Sequence, residues 1–176
     1  MDSVGQKRAI LMNVHPNRCR AIIRGDITME FVVRKPIVQV PFKVYICCSK
    51  ATNEPDNILL LRDGVRENVT HAGNGKVIGE FTCNEIVPII VFDNGSIQDW
   101  NFHDLDRAGL LYEEMSDRLL ATQSGEGYGL CISDLKLYVR PKDTWTLNRN
   151  IPRGWSYAPV MNFSKTIRES NEGALV

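Results

Sequence analysis

The sequence lacks any run of about 18 apolar residues, so no membrane-spanning helix is predicted. The polar and charged start, Met1 to Arg8, has no apolar stretch behind it, so no signal peptide is predicted and we expect a cytoplasmic protein with no membrane partner. An excess of positive charge is also missing, because 21 Lys and Arg residues balance 21 Asp and Glu residues. Proteins that coat nucleic acid non-specifically usually carry such an excess. Any contact with nucleic acid is therefore expected to be local.

Metal-binding and redox motifs are missing as well. No C-x-x-C spacing occurs among the five cysteines, and the three histidines are too widely separated to pair at ligand spacing. A structural zinc site is therefore not predicted, and we expect no cofactor. Three of the cysteines lie in apolar, strand-like runs, which is typical of reduced, buried thiols in a reducing compartment. The cysteines are Cys19, Cys47, Cys48, Cys83 and Cys131.

Common catalytic and phosphate-binding motifs are likewise absent. The sequence has no G-x-S-x-G, P-loop or G-x-G-x-x-G motif, and no Ser-His-Asp ordering typical of a hydrolase triad. The run GNGK at Gly73–Lys76 precedes strand-like residues. It is predicted to be a turn, because a phosphate-binding loop requires a helix directly after it.

The chain is nevertheless large enough to bury a core: 176 residues, 43% of them hydrophobic, fit one domain with room for an insertion. Its charge is uneven along the sequence. Residues 1–50 contain nine Lys or Arg and three acidic residues, residues 51–134 contain five and fifteen, and residues 135–176 contain seven and three. A fold that brings the two ends together opposes a basic face to an acidic one. Solvated charged faces are the alternative.

Hydrophobic periodicity predicts five strands and two helices. Pro16 is placed to start a short helix after the first strand, and Gly25 to end it as a left-handed cap. A second helix is predicted around Leu110–Leu120, within an acidic insertion at about 99–121. The strands are predicted at residues 8–14, 28–34, 42–48, 76–83 and 128–139.

The order of these elements indicates the fold class. Strands and helices do not alternate regularly, which excludes a doubly wound fold and favours a small, strongly curved sheet. We predict an α+β domain over residues 1–158 with a mixed β-barrel core, a short N-terminal helix and the helical insertion. Residues 51–75 are predicted to be an irregular excursion, and residues 159–176 a flexible tail.

The last predicted strand changes phase along its length. Leu130 and Ile132 share one face, whereas Leu135 and Leu137 share the other. A β-bulge at Ser133–Asp134 reconciles the two halves.

Several blocks resemble one known family. The segment ILMNVHPNRCRAIIRGDITMEFVVRK, Ile10 to Lys35, resembles the opening signature of ASCH-domain proteins, especially the phage and bacterial type. There a strand, a Pro-started helix and a G-x-K-T-x-E-x-R segment follow in this order. The blocks PFKVYICCSK, GKVIGEFTC, GYGLCISDLKLYVRPKDTW and IPRGWSY continue the resemblance in the family's order, over roughly residues 8–157. The resemblance implies a PUA-like β-barrel associated mainly with RNA binding. Some members are similar in fold to amidohydrolases acting on modified nucleosides, and some are reported as nucleases.

Two residues depart from the family segment. The lysine before Thr is Ile27 here, and the arginine two residues after Glu is Val32. Thr28 and Glu30 are retained. Arg34 lies on the same predicted strand face, where its long guanidinium side chain can take the place of the missing arginine. An enzyme is not favoured, because the ammonium group that would bind phosphate or act as nucleophile or base is absent.

The strand face Thr28–Glu30–Arg34 is the main candidate ligand site. Arg forks match phosphates and purine edges, and Glu accepts hydrogen bonds from exocyclic amines. The alternative is a cross-strand ion pair on a solvent face. Further candidate ligand-binding residues are Arg24, Lys35, Tyr45 and Trp155.

Basic and aromatic residues extend this candidate site. Trp155 and Tyr157, with Trp145, are candidate stacking platforms for an unpaired base, or they fix the chain end onto the core. The basic residues predict a patch that contacts a phosphate backbone, with solubility as the alternative. They are Arg18, Arg20, Arg24, Lys35 and Lys43.

Three functions follow from these residues. The leading one is binding of RNA or a nucleotide-containing ligand in a cleft beside Thr28, Glu30 and Arg34. The first alternative is a small hydrolase, a nucleoside amidohydrolase or a ribonuclease, that uses Glu30 and Glu80 as an acid–base pair. Glu80 is otherwise an exposed charge that discourages edge pairing. The second alternative is a protein-interaction module that acts through the acidic insertion. The insertion's candidate contact residues are Glu113, Glu114 and Asp117.

Overall fold

A computed structural model gives the fold. It describes residues 8–50, 57–59, 70–72, 75–92, 94, 96–97, 106–109, 112–122, 124–147 and 149–163.

The elements with described bounds are eight strands, two α-helices and one 3-10 helix, Thr144–Leu147. Six strands form one sheet in the order β2-β7-β6-β3-β1-β8, and β4 pairs with β5 in a separate ribbon. The pairing is antiparallel throughout except between β1 and β3, which are parallel. The strands are β1 (Arg8–Val14), β2 (Met29–Val32), β3 (Phe42–Cys48), β4 (Asn57–Leu59), β5 (Thr70–Ala72), β6 (Lys76–Ile90), β7 (Glu126–Asp143) and β8 (Trp155–Pro159). The helices are α1 (Pro16–Arg24) and α2 (Tyr112–Leu120).

The predicted limits of α1 are confirmed. Pro16 occupies its first turn, and the ring nitrogen of His15 accepts a hydrogen bond from the Asn17 amide at 3.3 Å. Gly25 ends the helix at φ 82°, and its amide bonds to the carbonyl groups of the last turn. Only glycine adopts this left-handed conformation without steric cost.

Alternation along β3 divides the core between the two faces of the sheet. Val44 and Ile46 belong to a first apolar cluster that also contains the buried stripe of α1. Tyr45 and Cys47 point the opposite way into another cluster, with Leu147 of the 3-10 turn that follows β7. A further cluster joins β2, β6 and β7 to α2. The sheet is therefore covered on both faces.

The predicted bulge in β7 is confirmed. Thr82 of β6 pairs with Ser133, and Glu80 pairs with Lys136, so β7 carries one extra residue between these two pairs. Asp134 takes a positive φ of 48° at this point. The bulge shifts the phase of the strand, as the sequence pattern requires.

Several boundaries differ from prediction. β6 continues to Ile90 and β7 spans Glu126–Asp143, whereas β2 ends at Val32, before Arg34. The last strand is β8 rather than β7. Within the predicted irregular excursion at 51–75, the described residues include the ribbon of β4 and β5.

The structure describes parts of the insertion and of the chain end. The α2 helix lies where a helix was predicted, although residues 99–105 and 110–111 of the insertion lie outside the described part. The first residues of the predicted tail are packed: Met161 bonds to Tyr45, and Phe163 packs on Tyr45 and Tyr138. Residues 164–176 lie outside the described residues. No described helix is long and apolar enough to cross a membrane.

The α+β class with a short N-terminal helix is confirmed. Closure into a barrel stays a prediction, because the six described strands of the main sheet are paired in an open order with β2 and β8 at its ends. The two ends do meet through Arg34, which follows β2, and Trp155, which begins β8.

Candidate functional site

The carboxylate of Glu30 forms an ion pair with an arginine of α1. Arg18 donates from Nε to both carboxylate oxygens, at 3.1 and 3.2 Å, and from an Nη to Oε2 at 3.0 Å. The side chains are 16% and 8% exposed, respectively. The structure therefore pairs Glu30 with Arg18, whereas the sequence analysis grouped Glu30 with Arg34 in one candidate ligand site.

Burial governs the ionisation of Glu30. Loss of solvent raises its pKa, and the charges of Arg18 and, to a smaller extent, Arg118 act against this rise. A forked pair with two hydrogen bonds to one carboxylate is the geometry in which an arginine best holds a buried negative charge.

A segment of the insertion covers the start of β2. The Arg107 carbonyl accepts from the Thr28 amide at 2.9 Å, and the Ala108 carbonyl accepts from Arg18 at 2.9 Å. Ala108 is fully buried, whereas Thr28 is exposed. Ile27, at the position of the family lysine, is 5% exposed and belongs to the first core cluster. This position is apolar core, with no polar surface for an ammonium group.

The residues after β2 meet β8 at a second place. The Arg34 guanidinium carbon lies 4.1 Å from the centroid of the Trp155 ring. Arg34 donates to the Trp155 carbonyl at 3.1 Å, and the Trp155 indole donates to the Arg34 carbonyl at 3.0 Å. Stacking and two reciprocal hydrogen bonds fix this exposed arginine in one orientation. We call Arg34, Trp155 and Tyr157 the seam.

Cations and aromatic rings surround the seam. Tyr157 packs edge-on against Trp155 with ring centroids 5.1 Å apart, and its hydroxyl accepts from the Ile37 amide at 3.0 Å. Arg8 lies over the Tyr157 ring at 5.5 Å, and Lys35 lies over the Tyr128 ring at 5.7 Å. Trp155 itself is only 7% exposed, so its ring supports Arg34 and does not offer its own face to a ligand.

The second candidate carboxylate, Glu80, is also buried. Lys43 pairs with it at 2.9 Å, and the Tyr138 hydroxyl donates to its other oxygen. The Tyr45 hydroxyl accepts from the Met161 amide at 2.7 Å and lies 3.1 Å from the Met161 carbonyl. Burial raises the pKa of Tyr45 to about 12. The interpretation of Glu80 as an exposed edge charge is wrong, because it is 9% exposed and paired.

The two candidate carboxylates lie on opposite faces of the sheet. Glu30 is opposite Leu130 of the first cluster, and Glu80 is opposite Tyr45 of the cluster on the other face. Cross-strand partners share a face. The predicted Glu30/Glu80 acid–base pair is therefore not formed.

The predicted basic patch is dispersed. Arg24 is exposed and pairs with Asp26 at 2.9 Å, and Arg20 donates to the Asn17 side chain at 2.6 Å. Arg18 and Lys43 are engaged by buried carboxylates, as above. Of the candidate ligand-binding residues, the structure brings together Arg34 and Trp155, with Lys35 next to Arg34 in the chain. Arg24 pairs with Asp26, and Tyr45 contacts Met161.

The cysteines lie in the core and not at this surface. All five cysteines are buried and free, as predicted. Burial raises the pKa of Cys47 and Cys83 to about 12. Among the described residues, no three His, Cys, Asp or Glu side chains converge as a metal site.

Sequence reasoning missed the role of Arg18. The sequence feature that could have predicted this role is the position of Arg18 four residues before Ile22, which is buried on α1. Residues at i and i+4 share a helix face, so Arg18 lies at the edge of the buried stripe and can reach β2.

Comparison with known proteins supports the fold. No protein-family model matches the chain. No curated protein matches it significantly. The ASCH structure from Zymomonas mobilis is similar at 17% sequence identity and a TM-score of 0.52, with 94% of each chain covered. A serine-to-alanine variant of that protein is similar at 16% identity and a TM-score of 0.53, with 98% of this chain and 99% of that chain covered. The chain therefore has the ASCH fold, and the resemblance predicted from the sequence is confirmed at this level.

Proposed function

We propose that this protein binds RNA, or a ligand that contains a nucleotide, along the edge that runs from Thr28, just before β2, and Glu30 on β2 to Arg34 and Lys35 after it. The ligand is bound at the exposed end of this edge, at the seam. Glu30 and Arg18 act beneath it as a fixed ion pair that holds α1 against β2.

The observation that carries this proposal is the stacking of Arg34 on Trp155. The guanidinium lies 4.1 Å from the ring centroid and donates to the Trp155 carbonyl, and the Trp155 indole donates to the Arg34 carbonyl. An exposed arginine held in place in this way is a stacking partner for an unpaired base, and its remaining donors bind phosphate. Because Arg34 is ordered before the ligand arrives, little side-chain entropy is lost on binding.

The charge around the seam suits a phosphate backbone. Arg8 and Lys35 are exposed and lie over the rings of Tyr157 and Tyr128. Alternating rings and cations are the composition of surfaces that bind single strands. Such a local surface is compatible with the zero net charge of the chain.

The test is fluorescence anisotropy with short single-stranded RNA, with free nucleotides as competitors. Arg34→Ala removes one positive charge together with the stacked plane. Arg140→Ala is the matched control, because Arg140 is exposed on β7 twelve residues beyond Tyr128 and its loss changes the net charge equally. We expect Arg34→Ala to weaken binding by at least about tenfold, and Arg140→Ala to change it little.

Equal losses in the two variants contradict the proposal, because they indicate a general charge effect. Arg34→Lys separates stacking from charge: it keeps the charge and removes the plane, so we expect an intermediate affinity. The chain's failure to bind RNA or nucleotide at low salt would overturn the proposal outright.

A hydrolase remains the second candidate, on one observation. Burial raises the pKa of Glu30, and a raised carboxylate pKa is a property of general acids. Glu80 cannot be its partner, since it lies on the other face. Turnover of RNA or a modified nucleoside that disappears in Glu30→Gln, in a variant that still folds, would support this candidate.

An interaction module that acts through the acidic insertion stays a third proposal. Asp117 of α2 is exposed, while the side chains of Glu113 and Glu114 lie outside the described residues. A partner that is lost when these three residues are neutralised, and kept in Arg34→Ala, would favour it.

A further inference from the structure

An exposed tryptophan lies close to β8 on a rigid turn. Trp145 is 71% exposed, the most exposed aromatic side chain among the described residues. Its 3-10 turn, Thr144–Leu147, follows directly after β7. Exposure of so large an apolar ring costs solvation free energy, and surfaces used in recognition are where such rings are enriched.

The backbone that carries Trp145 is held in place. Leu147 is fully buried in the cluster beneath, and the Thr146 hydroxyl donates to the Asp143 carbonyl at 2.6 Å. The Asp143 carboxylate, directly before the turn, is paired with Lys76. The turn is therefore anchored on both sides of Trp145, whose side chain stays exposed.

One arginine connects this turn with the seam. The Arg149 amide bonds to the Thr144 carbonyl at 3.3 Å, and its Nε donates to the Tyr157 carbonyl at 2.5 Å. Arg149 is exposed. It thus lies between the Trp145 turn and Tyr157, which contacts Trp155. We call Arg34, Tyr157, Arg149 and Trp145 the track.

We propose that a single-stranded nucleic acid bound at the seam continues along the track, and that a second unpaired base stacks on Trp145. This inference rests on the proposed function and extends it, because it assigns the ligand as a strand of several nucleotides. The positive charge beside the track favours an anionic nucleic acid over a basic protein as the partner. Arg149 lies in the track and Lys142 precedes the turn on β7, and the carboxylate of Asp143 is paired with Lys76.

The test compares two lengths of RNA. Single-stranded oligonucleotides of about 4 and about 12 nucleotides cover the range of site sizes seen for one small β domain. Their dissociation constants are measured by anisotropy for the wild-type chain, Trp145→Ala and Arg34→Ala. We expect Trp145→Ala to weaken binding of the long RNA by about 5- to 150-fold, the loss typical of one stacked base. The short RNA should bind Trp145→Ala as it binds the wild type.

Trp145→Phe provides a matched variant, since it keeps an aromatic face and should lose less affinity for the long RNA than Trp145→Ala. Arg34→Ala should weaken binding of both the short and the long RNA. Thermal unfolding followed by circular dichroism checks that each variant folds; exposed Trp145 is expected to be replaceable without loss of stability.

The outcomes separate this inference from the proposed function. Arg34→Ala could weaken binding of the short RNA while Trp145→Ala leaves the affinity for both RNAs unchanged. In that case the seam binds RNA, and the proposal that the strand continues along the track is wrong. If Trp145→Ala weakens binding of the short and the long RNA equally, the proposal that the strand continues along the track is also wrong, because Trp145 and the seam are then not separate contacts. If Arg34→Ala changes the affinity for neither RNA, the proposed function is contradicted.

Discussion

The buried ion pair between Arg18 and Glu30 makes the sharpest stability prediction. Arg18→Ala leaves the Glu30 carboxylate in a site where its side chain is 8% exposed and without its counter-charge. Removing one partner of a buried pair typically costs about 3–5 kcal/mol. We expect this cost in the free energy of unfolding, measured by urea denaturation at about pH 7.

The matched control lies on the same helix. Arg24 pairs with Asp26 at 2.9 Å, but the two side chains are 53% and 59% exposed. Exposed pairs contribute about 0–1 kcal/mol, so Arg24→Ala should change stability little. Both variants remove one arginine from α1, but only Arg18 pairs with a buried carboxylate and also donates to the Ala108 carbonyl.

The sign of the pH dependence gives a second check. The pKa of Glu30 is raised in the folded state, so its protonated form favours folding: this contribution is present at low pH and is lost as the pH rises through the folded-state pKa. Arg18→Ala raises that pKa further. The destabilisation by Arg18→Ala should therefore shrink between about pH 7 and about pH 5, relative to Arg24→Ala.

A double variant completes the argument. Adding Glu30→Gln to Arg18→Ala replaces the unpaired charge by a neutral amide and should restore part of the lost stability. If Arg18→Ala costs no more than Arg24→Ala, or if its cost is independent of pH, the carboxylate is better solvated than the structure indicates and the reasoning is refuted.

Three further changes have clear expected effects. Ile27→Lys puts an ammonium group into a position that is 5% exposed, so it should destabilise the fold in urea by at least about 2 kcal/mol and create no turnover; a stable, active variant would contradict this. Tyr45→Phe removes the hydroxyl that bonds to the Met161 amide and should cost about 1–2 kcal/mol, with faster hydrogen exchange at Met161; unchanged exchange would show that the contact is not formed in solution. Gly79→Ala places a methyl group against the Lys136 carbonyl of the neighbouring strand and should lower the melting temperature by several degrees; an unchanged melting temperature would refute the close approach.

Local features of the fold could be predicted from the sequence. Pro16 and Gly25 mark the ends of α1, and the phase change in β7 reveals the bulge at Asp134, because each signal depends on neighbouring residues. The resemblance to ASCH-domain proteins predicted the fold, which the similar structures support. Strand ends were less predictable: β6 runs on through Pro88, a residue that usually indicates the end of a strand.

The partners of charged residues could not be read from the chain. Arg34 contacts Trp155, which is 121 residues away in sequence, and Glu80 is buried by Tyr138, 58 residues away. Alternation placed Glu30 and Arg34 on one strand face, yet β2 ends between them at Val32. A period-two pattern gives the face of each residue only while the strand continues. The composition of the candidate site therefore depends on contacts between residues that are distant in sequence.

The central claim is that the seam is where RNA is bound, and photo-crosslinking tests it most directly. Single-stranded RNA carrying 4-thiouridine is irradiated on the protein, and the linked peptides are identified by mass spectrometry. The account predicts crosslinks in the peptides that contain Arg34 and Lys35 and in the β8 peptide that contains Trp155 and Tyr157, reduced in Arg34→Ala. Crosslinks confined to α2, or crosslinks at the seam that persist unchanged in Arg34→Ala, would contradict it.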